Sequence, residues 1–218
     1  RARRSGEVVL VGPERNDYAA WIIRRAREES WTRTAVVDGA INRITQVSAF
    51  RGARFLFALR AGPAELEKTA RKARLLAALA RLPAIAPALP AGGLGDGGPA
   101  AGDLAERRIE AAAAALGLPA PVHRLEGPLT PETAKRLPSG AATLLVDDFT
   151  KIFLDESGLA SLRKSRALAV LEPFEFGGFV LALRGLAHQR FIDALGDSVP
   201  AEWLIRNPYE REGADAAA

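Results

Sequence analysis

The sequence contains no cysteine and no methionine, and its only histidines are His123 and His188. Without cysteine, disulfide bonds, thiolate nucleophiles and zinc–thiolate sites are excluded. Two histidines far apart in sequence also exclude a histidine-rich metal site, so a carboxylate site for Mg²⁺ is the metal chemistry that remains. The lack of methionine leads us to expect that the natural chain begins upstream of Arg1.

Long apolar runs are also missing. Charged residues interrupt every run well short of the length that a membrane span needs, and no secretory signal pattern is present. Together with the absence of cysteine, this predicts a cytoplasmic protein with no membrane association. The 218 residues are 48% hydrophobic and 26% charged, which is typical of a globular chain with a substantial core.

The net charge of +4 comes mainly from arginine, and acidic residues lie among the arginines. This mixture predicts a solvated surface of mixed charge, so nucleic acid is not an expected partner. The basic clusters are Arg1, Arg3 and Arg4, and Arg24, Arg25 and Arg27, and the acidic residues near them are Glu14, Asp17, Glu28 and Glu29.

Apolar segments with strand character alternate with segments of helical periodicity along the chain. This alternation predicts an α/β fold, with a mostly parallel sheet and helices on both faces, of P-loop-like or Rossmann-like type. Strands are predicted at 7–11, 36–37, 54–59, 121–125, 142–146, 167–171, 179–183 and 203–205, with 149–154 also extended. Helices are predicted at 16–29, 64–82, 103–116, 130–137, 158–164 and 186–195.

The chain organisation follows from composition. Residues 1–83 are predicted to form a first lobe that contains a βαβ unit, and 84–102 a linker or surface loop rich in Gly, Pro and Ala. Residues 103–209 form a second α/β part, expected in the same sheet, and 210–218 a frayed tail. Within the loop, the sequence of Gly93–Gly98 matches the Gly-x-Gly-x-x-Gly fingerprint of dinucleotide-binding sites. It lacks the preceding strand and the following helix that the fingerprint requires.

The first candidate site is Asp38, at the end of the predicted strand in Val36–Ala40. Ligands of open α/β sheets bind beyond the carboxyl ends of strands, where an aspartate can hold Mg²⁺ at a nucleotide. We therefore assign Asp38 a catalytic and metal-binding role, with Gly39 opening a switch loop that ends at Ser48. Gly12, after the first strand, Gly39 and Arg43 are expected to bind the cofactor, with Arg43 placed to bind a phosphate. The simpler alternative is that Asp38 only begins a turn.

A nucleotide site of this kind also needs a phosphate-binding loop. No Gly-x-x-x-x-Gly-Lys-Ser/Thr motif occurs in the sequence. If Asp38 belongs to a nucleotide site, the phosphate loop must lie upstream of Arg1 or be absent.

The second candidate site is the acidic pair Asp147–Asp148, which follows a predicted strand. Adjacent strand residues point to opposite faces, so the two carboxylates cannot simply share one metal ion. We assign Asp147 as a metal ligand and Lys151 as a cofactor-binding residue, because one carboxylate can face a crevice and pair with Lys151. The alternative is a charged turn between strands.

Four segments together resemble one protein family: Val9–Pro13, Val36–Arg43, Glu126–Thr130 and Asp147–Leu154. In this order they are similar to the small reactivase subunit encoded beside lysine and ornithine aminomutases, enzymes that use adenosylcobalamin and pyridoxal phosphate. The resemblance implies a nucleotide-driven accessory factor that helps to replace damaged cobalamin. It implies ATP or GTP with Mg²⁺ as cofactors, a weak ATPase activity as one option, and the mutase or a second reactivase subunit as partner.

The chain departs from the family pattern at Ile41 and Asn42, where the family reads Leu-Asp. This removes the second acid that a two-carboxylate metal site needs. Two alternative functions therefore stay open. One is a small-molecule transferase or hydrolase that uses Asp147 or Asp148. The other is a non-catalytic protein-interaction domain. An oligomeric state is compatible with each function.

Overall fold

The computed structural model describes residues 16–37, 54–86, 101–140, 142–173 and 175–206. Its contacts divide the chain into two compact units, Arg1–Arg51 and Gly52–Ala218. In the first unit, helix α1 spans Asn16–Glu28, as its periodicity predicts. The strand predicted to end at Val37 is not formed. Residues 34–37 lie in neither helix nor strand, and the Val36 side chain is 92% exposed, so no neighbouring strand pairs with this segment among the described residues.

The second unit is an α/β structure with two small sheets, each of three strands and entirely parallel. This confirms the predicted fold class. The helices are α2 (Leu66–Ala80), α3 (Ala101–Ala115), α4 (Pro131–Lys135), α5 (Glu156–Ser165) and α6 (His188–Leu195). The strands are β1 (Arg54–Ala61), β2 (Val122–Arg124), β3 (Thr143–Val146), β4 (Ala167–Val170), β5 (Glu175–Leu183) and β6 (Leu204–Arg206).

The β2-β3-β4 sheet has β3 at its centre, and every residue of β3 is buried. Leu145 of β3 and Ala169 of β4 pack with Ile109 and Ala113 of α3, so this helix covers one face of the sheet. Because strand side chains alternate, Leu144 and its neighbours Val146 and Leu168 point to the opposite face. A strand buried on both faces is typical of parallel sheets, and it fixes the residues that follow it.

The segment that follows α2 also belongs to this sheet. Ala84 forms a parallel bridge with Val170, and the backbone N–H groups of Ile85 and Ala86 donate to carbonyls of β4 and Leu171. The loop predicted from residue 84 therefore begins, in the described part of the chain, with an ordered extension of the sheet. Residues 87–100 lie outside the described ranges.

The β1-β5-β6 sheet joins parts of the chain that are far apart in sequence. Phe55 pairs with Phe176 and Leu56 with Gly178, so Gly177 is an extra residue in β5 and forms a bulge. Gly178 has a φ of +125°, and a Cβ there would lie 2.6 Å from the Trp203 carbonyl oxygen. The bulge places Phe176 and Phe179, three residues apart, on one face, where both rings contact each other at a centroid distance of 4.8 Å.

Three helices of the second unit are joined by the side chain of Arg74 in α2. Its guanidinium donates to both carboxylate oxygens of Glu156 in α5, at 2.7 and 3.1 Å, and to the Ala194 carbonyl in α6, at 2.6 Å. The hydrogen bond with Glu156 and the attraction of Glu67 outweigh burial and raise the pKa of Arg74 above its usual range. Arg74 is therefore a permanently charged connection between α2, α5 and α6.

The prediction that residues 149–154 are extended is wrong in its first half. Phe149–Lys151 form one turn of 3₁₀ helix, because the Asp148 carboxylate accepts hydrogen bonds from Thr150 and caps the turn. Ile152 then returns to an extended conformation and bridges to Leu129. In the parts of the chain that the structure describes, no helix combines the length and apolar character needed to cross a membrane.

Candidate functional site

The carboxyl ends of β2, β3 and β4 lie at one edge of the β2-β3-β4 sheet, because all three strands are parallel. Arg124 is the last residue of β2, Asp147 follows β3, and Glu172 lies two residues beyond β4. The backbone N–H of Glu172 donates to the Asp147 carbonyl oxygen at 2.9 Å, which extends the sheet pairing past Val170. This edge is where open α/β proteins bind their ligands.

Arg124, Asp147 and Lys151 form an ion-paired group at this edge, which we call the carboxyl-edge triad. Arg124 Nη2 donates to Asp147 Oδ1 at 3.0 Å, and Lys151 Nζ donates to Asp147 Oδ2. The 3₁₀ turn after Asp148 brings Lys151 back towards Asp147, four residues earlier. The exposed fractions of the side chains are 47% for Arg124, 40% for Lys151 and 27% for Asp147.

The two cations stabilise the ionised form of Asp147. Partial burial raises the pKa of its carboxyl group, but the hydrogen bonds from Lys151 and Arg124 and the attraction of both charges outweigh burial. The pKa of Asp147 is therefore lowered below its ordinary value, and the carboxylate is ionised at neutral pH. A carboxylate held in this state does not act as a proton donor at neutral pH.

Asp148 has a local structural task. Its Oδ1 accepts hydrogen bonds from the backbone N–H and the hydroxyl of Thr150, a buried residue. The two neighbouring acids thus point to different partners, which agrees with the strand alternation used in the sequence argument. The pairing of Asp147 with Lys151 that the sequence indicates is present.

Arg124 was not predicted as a site residue, although it lies in the predicted strand at 121–125. The available signal was topological: in a parallel sheet, the residue that ends β2 lies beside the residue that follows β3. A residue placed at such an edge can contact Asp147 across 23 positions of sequence.

The predicted roles of Gly12, Asp38, Gly39 and Arg43 fall on residues outside the described ranges. Their roles therefore stay predictions.

The assignment of Asp147 as a metal ligand also stays a prediction. Both oxygens of its carboxylate accept hydrogen bonds from cations, and these two positive charges oppose the binding of Mg²⁺ beside them. Across the described ranges, no group of three or more His, Asp or Glu residues is arranged to hold a metal ion.

Comparison with known proteins finds no match: no family model, no curated protein and no solved structure is similar to this chain.

Proposed function

We propose that this protein is a nucleotide-dependent accessory factor that binds the phosphates of ATP or GTP at the carboxyl-edge triad. In this proposal, the bound nucleotide controls the action of the protein on a partner enzyme, an adenosylcobalamin-dependent aminomutase. The observation that supports it is the placement of two partly exposed cations, Arg124 and Lys151, at the ligand-binding edge of a parallel sheet. The four sequence segments that resemble the reactivase family supply the partner.

The chemistry of the triad favours phosphate recognition. A guanidinium offers several N–H donors in a planar fork that fits two oxygens of a phosphate, and an ammonium offers three donors on a flexible stem. Arg124 and Lys151 both donate to the two oxygens of the Asp147 carboxylate, and the same groups can donate to the oxygens of a phosphate. The triad carries two positive charges and one negative charge, so an anion is attracted to it.

The same geometry argues against the transferase or hydrolase alternative at this edge. A general acid or base needs a pKa near the operating pH, whereas the pKa of Asp147 is lowered away from neutrality. Asp148 is engaged as the cap of the 3₁₀ turn. The paired state of both acids therefore favours a binding role over proton transfer.

The first test is nucleotide binding by calorimetry, with and without Mg²⁺, for the natural chain and for Arg124→Ala and Lys151→Ala. Each substitution should weaken ATP or GTP binding by about 10- to 100-fold, because each removes a charge-assisted hydrogen bond worth about 1.5–3 kcal/mol. Arg107→Ala and Lys164→Ala are matched controls, since both residues are exposed, lie on helices α3 and α5 and do not belong to the triad. Absence of binding at millimolar nucleotide by the natural chain would overturn the proposal.

The second test concerns the partner. The protein should restore activity to an aminomutase that carries damaged cobalamin, and the recovery should require ATP or GTP. Lys151→Ala should lower this recovery, whereas Lys164→Ala should leave it unchanged. If the natural chain binds nucleotide but neither restores the mutase nor forms a complex with it, the partner part of the proposal is wrong and the nucleotide site remains.

A further inference from the structure

The arrangement of the carboxyl-edge triad suggests how the proposed nucleotide site is regulated. Asp147 neutralises one of the two positive charges that the ligand phosphate would need, and it does so with both of its oxygens. Within the described residues, the side-chain hydrogen bonds of Arg124 and Lys151 go to Asp147. The carboxylate thus has the same partners that we assign to the phosphate.

We propose that Asp147 is an internal counter-ion that occupies the phosphate position, and that a ligand binds by exchanging with it. This inference rests on the proposed function. A carboxylate and a phosphate both present two oxygens to a guanidinium and an ammonium, so one can replace the other without new protein groups. Exchange requires only that the Asp147 side chain turn away, because its backbone is held by the Glu172 N–H.

Counter-ion exchange makes the site selective for the charge of the ligand. A monoanionic ligand replaces the single negative charge of Asp147 with an equal charge. Its net free energy of binding is small, because the ligand also loses its own hydration. A dianionic phosphate adds a second negative charge next to Arg124 and Lys151, and the displaced carboxylate is rehydrated at the partly exposed edge. The preferred ligand class is therefore a terminal dianionic phosphate, as in a nucleoside di- or triphosphate or a phosphorylated small molecule.

The test uses inorganic phosphate and ATP as probes, measured by calorimetry on the natural chain and on Asp147→Asn. Asn has nearly the same shape as Asp but no charge, so the exchange no longer has to remove a competing anion. We expect Asp147→Asn to bind both probes about tenfold more tightly than the natural chain. Asp197→Asn, which removes an equal charge from an exposed turn after α6, should bind like the natural chain.

The outcomes separate this inference from the proposed function. If the natural chain binds ATP and Asp147→Asn binds it equally or more weakly, the counter-ion role is wrong and the nucleotide site stands. If binding persists in the double variant Arg124→Ala/Lys151→Ala, the phosphates bind elsewhere and both proposals fail. If neither the natural chain nor Asp147→Asn binds either probe, both also fail. Circular dichroism of each variant checks that it is folded before binding is interpreted.

Discussion

The pKa of Asp147 is lowered because two cations hold its carboxylate, and this makes the residue a source of acid-dependent stability. A group whose pKa is lower in the folded state stabilises that state fully above its unfolded pKa, about 3.9 for Asp. The contribution is lost as the pH falls through the lower pKa of the folded protein. Asp147→Asn should therefore lower the free energy of unfolding at neutral pH, and the loss should disappear at strongly acidic pH, below the lowered pKa of the folded state.

Urea unfolding of the natural chain and of Asp147→Asn at several pH values measures this effect. Asp197→Asn is again the matched control, and its stability difference from the natural chain should stay small across the same range. A stability loss for Asp147→Asn that is equally large at neutral and at strongly acidic pH would show that the effect arises from shape and not from charge. Because both cations are partly exposed, added salt should reduce the difference.

The helical layer formed by α2, α5 and α6 depends on one side chain of α2. Arg74 is 18% exposed and donates to Glu156 of α5 and to the Ala194 carbonyl of α6. Arg74→Met keeps most of the aliphatic stem and removes the donors, leaving Glu156 without its bidentate partner. We expect the free energy of unfolding to fall by about 1.5–3 kcal/mol, the range for hydrogen bonds to charged groups.

Arg71→Met is the control for Arg74→Met, because Arg71 lies on the same helix with a side chain that is 61% exposed. Its ion pair with Glu67, at 4.0 Å, is of the surface kind and contributes little. Urea unfolding should show the larger loss for Arg74→Met alone. Equal losses in the two variants would mean that Arg74 does not join the helices energetically.

At the level of elements, the helices and most strands follow from sequence pattern. Pro63, Pro131 and the cap Thr130 mark helix starts, and the apolar runs at β3 and β4 are typical of buried parallel strands. Strand β5 shows where pattern fails, because Gly177 is an extra residue and shifts the alternation between Phe176 and Phe179. The alternation of side chains every two residues breaks at a bulge. The bulge is defined by the pairing with β1, which the local sequence of β5 does not show.

For the whole molecule, the site could be predicted only in part. Asp147 and Lys151 are four residues apart, so their pairing follows from local geometry. Arg124 contacts Asp147 because β2 lies beside β3 in the sheet, and this strand order is a tertiary feature that local sequence does not contain. The division into two sheets is likewise non-local, because Phe55 and Phe176 pair although they are 121 positions apart in sequence, a separation that no short sequence window contains.

All three strands of the β2-β3-β4 sheet lie in the chain between β1 and its partner β5, and this order has a consequence for synthesis on the ribosome. Strands β2, β3 and β4 are consecutive in the chain, so their sheet can form soon after residue 170 has emerged. Strand β1 emerges before all of them, whereas its partner β5 is the last but one of the described strands to emerge. The edge of β1 that pairs with β5 therefore stays unpaired while more than half of the described chain is translated. Such an unpaired nascent strand is open to wrong pairing and is a natural substrate for chaperones. Translation speed between β1 and β5 would then influence how much of the protein reaches its native state.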